Sequence, residues 1–420
     1  MNAQTDRTLI RSPWNSRRYV LVNFSAPEAP RASTRAPVNV ALVLDRSGSM
    51  AGSKMALAKQ ALVKALHMLR SSDRFAVIFY DSRVDVVVPS TLATSEAVAH
   101  AVRQVDAIRA EGNTNLASGW LTGCEQIARH LEAEQIGTCL LLTDGQANWG
   151  LTDAAQLETH ARELRSRGVA TSTLGLGHDF NEDLLQRMAD AGGGRSYYVE
   201  TAAQIGDTLT SELGETLETV ARGAVLRVKA PSGVKVDTLN AFDVSRLDEL
   251  TTGIHIGNLV SRQAVSVVAR LTFPPGPTGT TADAVFSVSD DGSVLAWPEA
   301  DVTWTYASDA DNDEQRRNVA VDREVARLYA AKAREEALEL NRAGEFERAM
   351  RRLNATSDRI RHYAGNDPAL EEILSELDDR QVMYGRHLSP YAIKGEHYAH
   401  YYMSHMRQAD GKARRSPEES

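Results

Sequence analysis

The sequence predicts a doubly wound, mostly parallel α/β sheet inserted in an antiparallel β-sandwich and followed by a C-terminal helical region. Three observations carry this. Buried-strand and amphipathic-helix patterns alternate from residue 38 to 199, which is the signature of a parallel sheet covered by helices on both faces. Alternating strands broken by turn-rich stretches follow from about 220. A long helical texture then runs to near 385. At 420 residues the chain also exceeds the roughly 250–300 residues over which a single core grows, so two or three domains are expected.

In chain order, RRYVLVNFSAP (17–27) alternates like a strand but has no helical partner, so it is expected to pair into the sandwich, making residues 1–36 the sandwich's first part. Residues 37–215 form the α/β domain. VNVALVL (38–44) is a short Val-rich run of the kind buried on both faces of a parallel sheet. Met55, Ala58, Leu62, Leu66 and Leu69 then recur at helical spacing, with Lys54, Lys59 and Lys64 between them. FAVIFY (75–80) and an antiparallel partner VDVVVP (84–89) precede helices over 94–109 and 116–133. Strand 138–143, helix 153–167, strand 169–176, helix 181–191 and strand 196–199 complete the alternation.

Residues 216–307 carry AVLRVKA, VSVVARLTF and DAVFSVSD, separated by PPGPTGTT (274–281) and DDGS (290–293), and read as the remainder of the sandwich. SDADNDE (308–314) reads as an acidic polar linker. The helical region, 314–385, divides into helices near 314–342 and 345–363, the second entered through Gly344, and a third with Asp367 as N-cap and Pro368 at its first position. Its middle has the texture of one tetratricopeptide-like hairpin, and a single copy cannot make a stack. The 386–420 tail gathers His397, His400 and His405 with Tyr391, Tyr398, Tyr401 and Tyr402. The histidine spacing matches no standard zinc pattern, so the tail reads as an amphipathic docking segment for a partner or for the chain's own sandwich.

The strongest chemical signal is DRSGSM (45–50), placed directly after the first buried strand. Asp45, Ser47 and Ser49 alternate in a loop whose tight path Gly48 permits. Thr114 in EGNTNL and Asp144 in LLTDGQAN lie in loops at the same predicted sheet edge, outside the strand ends where ligands of such sheets sit. Three hydroxyls and two carboxylates make an oxygen-only set suited to Mg²⁺, with Mn²⁺ or Ca²⁺ as alternatives, and the lack of His or Cys disfavours zinc. Their low total charge leaves a bound cation ready to accept a further carboxylate.

In this order DRSGSM, GNTNL and LLTDGQAN resemble the metal-ion-dependent adhesion site of von Willebrand factor type A domains. The stretch 172–199 is similar to the end of the bacterial intracellular subgroup, and the likeness covers about residues 15–306. The resemblance implies that Ser47, Ser49 and Thr114 are direct hydroxyl ligands, and that Asp45 and Asp144 act directly or through water. Asn113 stands where the family often has glycine, a change expected to do little because Asn tolerates unusual backbone angles. The implied function is a Mg²⁺-dependent protein-binding module or scaffold that captures an Asp or Glu of a partner. In intracellular members such a partner can be a MoxR-type AAA+ ATPase.

Two other functions are open from the residues. One is phosphoryl transfer with Asp45 as nucleophile beside Mg²⁺, but that chemistry wants an acid/base carboxylate two residues on and a lysine near the phosphate, and position 47 is Ser. The other is a purely structural cation that holds three loops together. The net charge of −9 removes the basic footprint of nucleic-acid binding. With no signal-peptide pattern and no 18-residue apolar run, a cytoplasmic protein without a membrane span is expected. Cys124 and Cys139 are expected to be buried thiols. Asp81, ending FAVIFYD near the same edge, has two readings, a residue that shapes the metal loop by hydrogen bonding and a solvated strand-end residue, of which the second is preferred; the glycines at 192–194 precede a strand, the wrong order for a phosphate loop.

Overall fold

A computed structural model describes residues 1–29, 36–132, 135–292 and 297–415. Ser293 of the DDGS turn and residue 133, where the second of the paired helices was expected to end, lie outside them. Residues 1–28 and 220–420 form one compact unit and residues 29–219 another, so the α/β unit interrupts the other in sequence. No helix among the described residues is long and apolar enough to cross a membrane.

The chain opens with β1 (Asn2–Thr5), β2 (Leu9–Arg11) and β3 (Ser16–Ser25). The α/β unit then runs β4 (Val38–Asp45), α1 (Ser53–Met68), β5 (Arg74–Tyr80), β6 (Val84–Leu92), α2 (Ser95–Ala107), α3 (Leu116–Ala128), β7 (Ile136–Thr143), α4 (Ala154–Ser166), β8 (Val169–Leu176), α5 (Glu182–Ala191), β9 (Gly193–Val199) and α6 (Ile205–Leu217). Its sheet has the order β6-β5-β4-β7-β8-β9, with only β6 antiparallel to its neighbour. Every residue of β4 is buried, as its continuous apolar run requires. Val40, Leu42 and Leu44 pack with apolar residues of α1, α2 and α6, while Gly123 of α3 approaches Ala41 and Val43 on the opposite face. Chain order reverses between β4 and β7, which makes the carboxyl end of this pair the switch point at which such sheets bind ligands. Cys124 and Cys139 are free, buried thiols of α3 and β7.

The second unit continues with β10 (Thr219–Lys229), β11 (Lys235–Thr238), β12 (Asp243–Arg246), β13 (Thr251–Val260), β14 (Ala264–Phe273), β15 (Thr281–Ser289) and β16 (Ala300–Ala307). Two sheets, β1-β3-β14-β11 and β12-β13-β10-β15-β16-β2, enclose a core that includes Val20, Val22, Phe24, Phe273, Phe286 and Trp304. β3 pairs with β14 over its whole length, so RRYVLVNF is a sandwich strand. The β2–β16 pair is parallel, a departure from a purely antiparallel sandwich.

Residues 308–314 are not a linker. They form α7 (Asp309–Glu314), capped by the Ser308 hydroxyl, which accepts from the Asp311 amide. Arg11 reaches both Asp309 and Asp313, and the buried Arg18 donates to Asn312 at 2.7 Å. Aspartates in a first helical turn are favoured by the amide dipoles, so the composition of a solvated tether here builds a fastened corner. A new N-cap, Asn318, starts α8 (Val319–Arg342), which is followed by α9 (Phe346–Ala364), α10 (Pro368–Tyr384) and α11 (Pro390–Ser404). The outward face of β3, Tyr19 and Leu21, packs on Val321, Val325 and Leu328 of α8, which is why that strand is apolar on both sides. The tail helix α11 returns to the sandwich of its own unit, where the Ala241 amide donates to the Ser404 carbonyl and the Phe242 ring meets His405 edge-on.

Candidate metal centre

Asp45 ends β4 and Asp144 directly follows β7, so two adjacent parallel strands deliver both carboxylates to one sheet edge. Both are buried. Oδ1 of Asp45 accepts from the Ser47 amide at 2.8 Å and Oδ2 from the Thr143 hydroxyl at 2.7 Å. Burial pushes the Asp45 carboxyl up to about 6; the hydrogen bonds from Ser47 and Thr143 offset part of this, and the charge of Asp144 adds to it.

The loop from Asp45 closes in a 3-10 turn, Gly48–Met50, which the fully buried Met50 side chain anchors. The hydroxyls of Ser47 and Ser49 lie 3.1 Å apart, and Ser49 donates to Oδ1 of Asp144 at 2.7 Å. Thr114 precedes α3 and is held through its amide by the Asn148 side chain. A Cβ on Gly145 would lie 3.2 Å from the Thr114 hydroxyl and 3.9 Å from that of Ser49, so both hydroxyls border one spot that a glycine leaves open. The five residues singled out in the sequence thus meet at the carboxyl ends of β4 and β7.

Four residues support the five, and of these only Asp81 carries an expectation of shaping the loop, ranked second to a solvated one. Lys54, which looks like one of three solvent-side lysines of α1, sets its ammonium 2.6 Å from Oδ2 of Asp144. Thr143 orients Asp45. Asp81 is buried and not a solvated strand end: its Oδ2 holds Arg46 at 2.8 Å and its Oδ1 accepts from the Arg83 amide. Arg46 in turn pairs with Asp85, while its carbonyl accepts from the Glu111 amide. This buried pair stitches the Ser47 loop to the loop that carries Thr114, and a carboxylate immediately after a strand was the available clue. The unusual backbone angle falls on Gly112, at φ +79°, and not on Asn113, whose amide donates to Ser82.

Oxygen is the only donor type in the cluster. Among the described residues no group of three or more His, Cys, Asp or Glu side chains is placed to hold a metal. A hard divalent cation that keeps several waters fits such sparse, hydroxyl-rich ligation, and the Lys54 ammonium on Asp144 shows that the spot draws positive charge.

The family model of the von Willebrand factor type A domain matches residues 39–211. The protein YfbK of Escherichia coli is 31% identical over 222 residues, 52% of this chain and 38% of that protein. Mouse inter-alpha-trypsin inhibitor heavy chain 4 is 32% identical over 182 residues, 42% of this chain and 19% of that protein. The chain thus spans less than half the length of either relative. Among solved structures, a von Willebrand factor type A protein from Catenulispora acidiphila has a TM-score of 0.71 at 20% identity, covering 99% of this chain and 97% of that one. The ArnB paralog VWA2 from Sulfolobus acidocaldarius has a TM-score of 0.58 at 17% identity, covering 92% and 99%. These two share the fold through sandwich and helices alike. With the family match confined to the α/β unit and the adhesion-site pattern at its sheet edge, the chain carries a von Willebrand factor type A domain.

Proposed function

We propose that this domain is a Mg²⁺-dependent protein-binding module that captures an exposed Asp or Glu of a partner, with Mn²⁺ or Ca²⁺ able to substitute. The observation that carries the reading is the chain of contacts Ser47–Ser49–Asp144, at 3.1 and 2.7 Å, at the switch point of the sheet, with Asp45 buried behind it. Ser47, Ser49, Thr114, Asp45 and Asp144 would hold the cation, the carboxylates directly or through water. When bound, the cation supplies a Lewis-acidic position that a partner carboxylate completes. Thr143 and the Ser47 amide fix the Asp45 carboxylate, and the Arg46–Asp81 pair fixes the loops. Trp149, exposed in the loop that follows Asp144, offers the partner an aromatic contact of the kind that dominates interface energetics.

The phosphoryl-transfer alternative is weaker. Asp45 is fully buried with both oxygens already accepting hydrogen bonds, and Ser47 stands where an acid/base carboxylate would be needed. A MoxR-type AAA+ ATPase is a partner the family resemblance suggests. The test is capture of partners by the tagged full chain in Mg²⁺, in EDTA, and as the Ser47→Ala/Ser49→Ala variant. Loss of the same partner from the last two samples supports the reading, and its retention in all three overturns it.

A further inference from the structure

A groove of about 1020 Å³ runs between α1 and α2, and it begins at Ala51 and Gly52, directly after the turn that carries Ser49. Its floor includes the buried Met55 and Val105. Lys59, Lys64, Arg103 and Arg109 line it against one carboxylate, Asp106, in a chain whose net charge is −9. Lys59 and Arg109 both donate to the carbonyls of Asp106 and Ile108 at the end of α2, so their hydrogen bonds go to carbonyls, while the Asp106 carboxylate offsets only part of the charge at Lys59. Lys64 and Arg103 are exposed, and none of the four cations forms an ion pair among the described residues. Burial and the neighbouring Arg109 also hold the Lys59 ammonium below its usual range, a crowding that an anionic guest would relieve.

We propose that this groove seats an extended acidic segment of the partner, running on from the carboxylate captured at the metal centre. The inference rests on the cation-capture reading for its direction along the chain, and on the groove's own charge and apolar floor for its chemistry. Charge complementarity selects acidic flanks, while Met55 and Val105 favour apolar side chains between the acids. A polypeptide alternating the two meets both demands. A nucleic-acid strand meets only the first.

The test uses the full chain in Mg²⁺ and a fluorescent peptide of about ten residues, roughly 33 Å when extended, with one terminal Asp followed by alternating Glu and Leu. Its counterpart replaces every Glu by Gln and keeps the Asp. The acidic peptide is expected to bind about tenfold more tightly than the Gln peptide by fluorescence anisotropy. That advantage is expected to vanish in Lys64→Glu/Arg103→Glu, two exposed positions at which the melting temperature should not move. The inference is overturned if the acidic peptide binds no tighter than its counterpart, if its advantage survives the charge reversals, or if an oligothymidylate of equal charge binds more tightly. Failure of cation capture reads differently: the acidic peptide's advantage persists, but neither peptide responds to EDTA or to Ser47→Ala/Ser49→Ala.

Discussion

The Lys54 ammonium lies 2.6 Å from Oδ2 of Asp144, while Oδ1 of the same carboxylate accepts from Ser49. One carboxylate therefore faces both the hydroxyl pair and an internal cation. With Asp45 and Asp144 ionised, Lys54 leaves the cluster with a single net negative charge, so a divalent ion would make it positive and in want of one more carboxylate. Lys54→Ala removes a like charge from beside the bound ion. Mg²⁺ affinity measured by titration calorimetry is expected to rise, by about fivefold for a repulsion of roughly 1 kcal/mol in a solvent-screened setting. Unchanged or weaker Mg²⁺ binding would mean that the lysine positions Asp144 and does not compete at it.

The cation would join three loops, those after β4 and β7 and the one before α3. A ligand that binds only the folded state stabilises it by mass action, about 2.7 kcal/mol at a hundredfold excess over Kd. For a unit of this size the melting temperature in Mg²⁺ is expected to rise by roughly 5–10 °C over that in EDTA. Ser47→Ala/Ser49→Ala should melt at the same temperature in both. A wild-type shift without partner loss in EDTA would mark the cation as purely structural, and no shift at all would count against a cation site.

The five candidate ligands were legible because each sits at a position that sequence pattern defines, a loop entered from a buried parallel strand or leading into an amphipathic helix. Lys54 was not. On an amphipathic helix a lysine between apolar positions looks the same whether it meets water or a carboxylate brought from 90 residues away. For Asp81 the sequence offers a loop-shaping role but ranks it below a solvated one, since its partner Arg46 lies on another strand end and no local pattern links them. In SDADNDE, composition alone suggested a tether; the decisive facts were the Ser308 cap and the arginines at 11 and 18, supplied by strands far off in sequence. Periodicity reports what a segment buries. It is silent about which distant charge the segment meets.

Gly145 is the position where the openness of the centre depends on a missing side chain. Its ideal Cβ would stand 3.2 Å from the Thr114 hydroxyl, tighter than ordinary contact, while its backbone angle is not one reserved for glycine. Gly145→Ala is expected to displace Thr114 by a few tenths of an ångström and weaken Mg²⁺ binding by about tenfold, the scale on which small misplacements in a preorganised site are felt. Thermal stability in EDTA should change by under roughly 1 kcal/mol, as for most small substitutions outside a core. Full Mg²⁺ affinity in this variant would show that Thr114 is not a ligand.

Away from the metal centre, α6 is fastened to β9 by a partly buried arginine set against two buried carboxylates. Arg195 of β9 contacts Glu212 at 3.0 Å and Glu215 at 3.3 Å, both on α6, and Glu212 also accepts from Ser172 at 2.6 Å and Tyr197 at 2.5 Å. The two carboxylates hold the guanidinium well above its usual range against the cost of burying it. Arg195→Met keeps much of the volume and strands two buried carboxylates, for which a loss of about 3–5 kcal/mol in denaturant unfolding is expected. Restoring neutrality with Arg195→Met/Glu212→Gln/Glu215→Gln should recover a large part of it, because the penalty comes from the unpaired charges and not from the absent arginine. If the triple variant were no more stable than the single one, packing or hydrogen-bond geometry would be the cause, and the charge account of how α6 is fastened to β9 would fail.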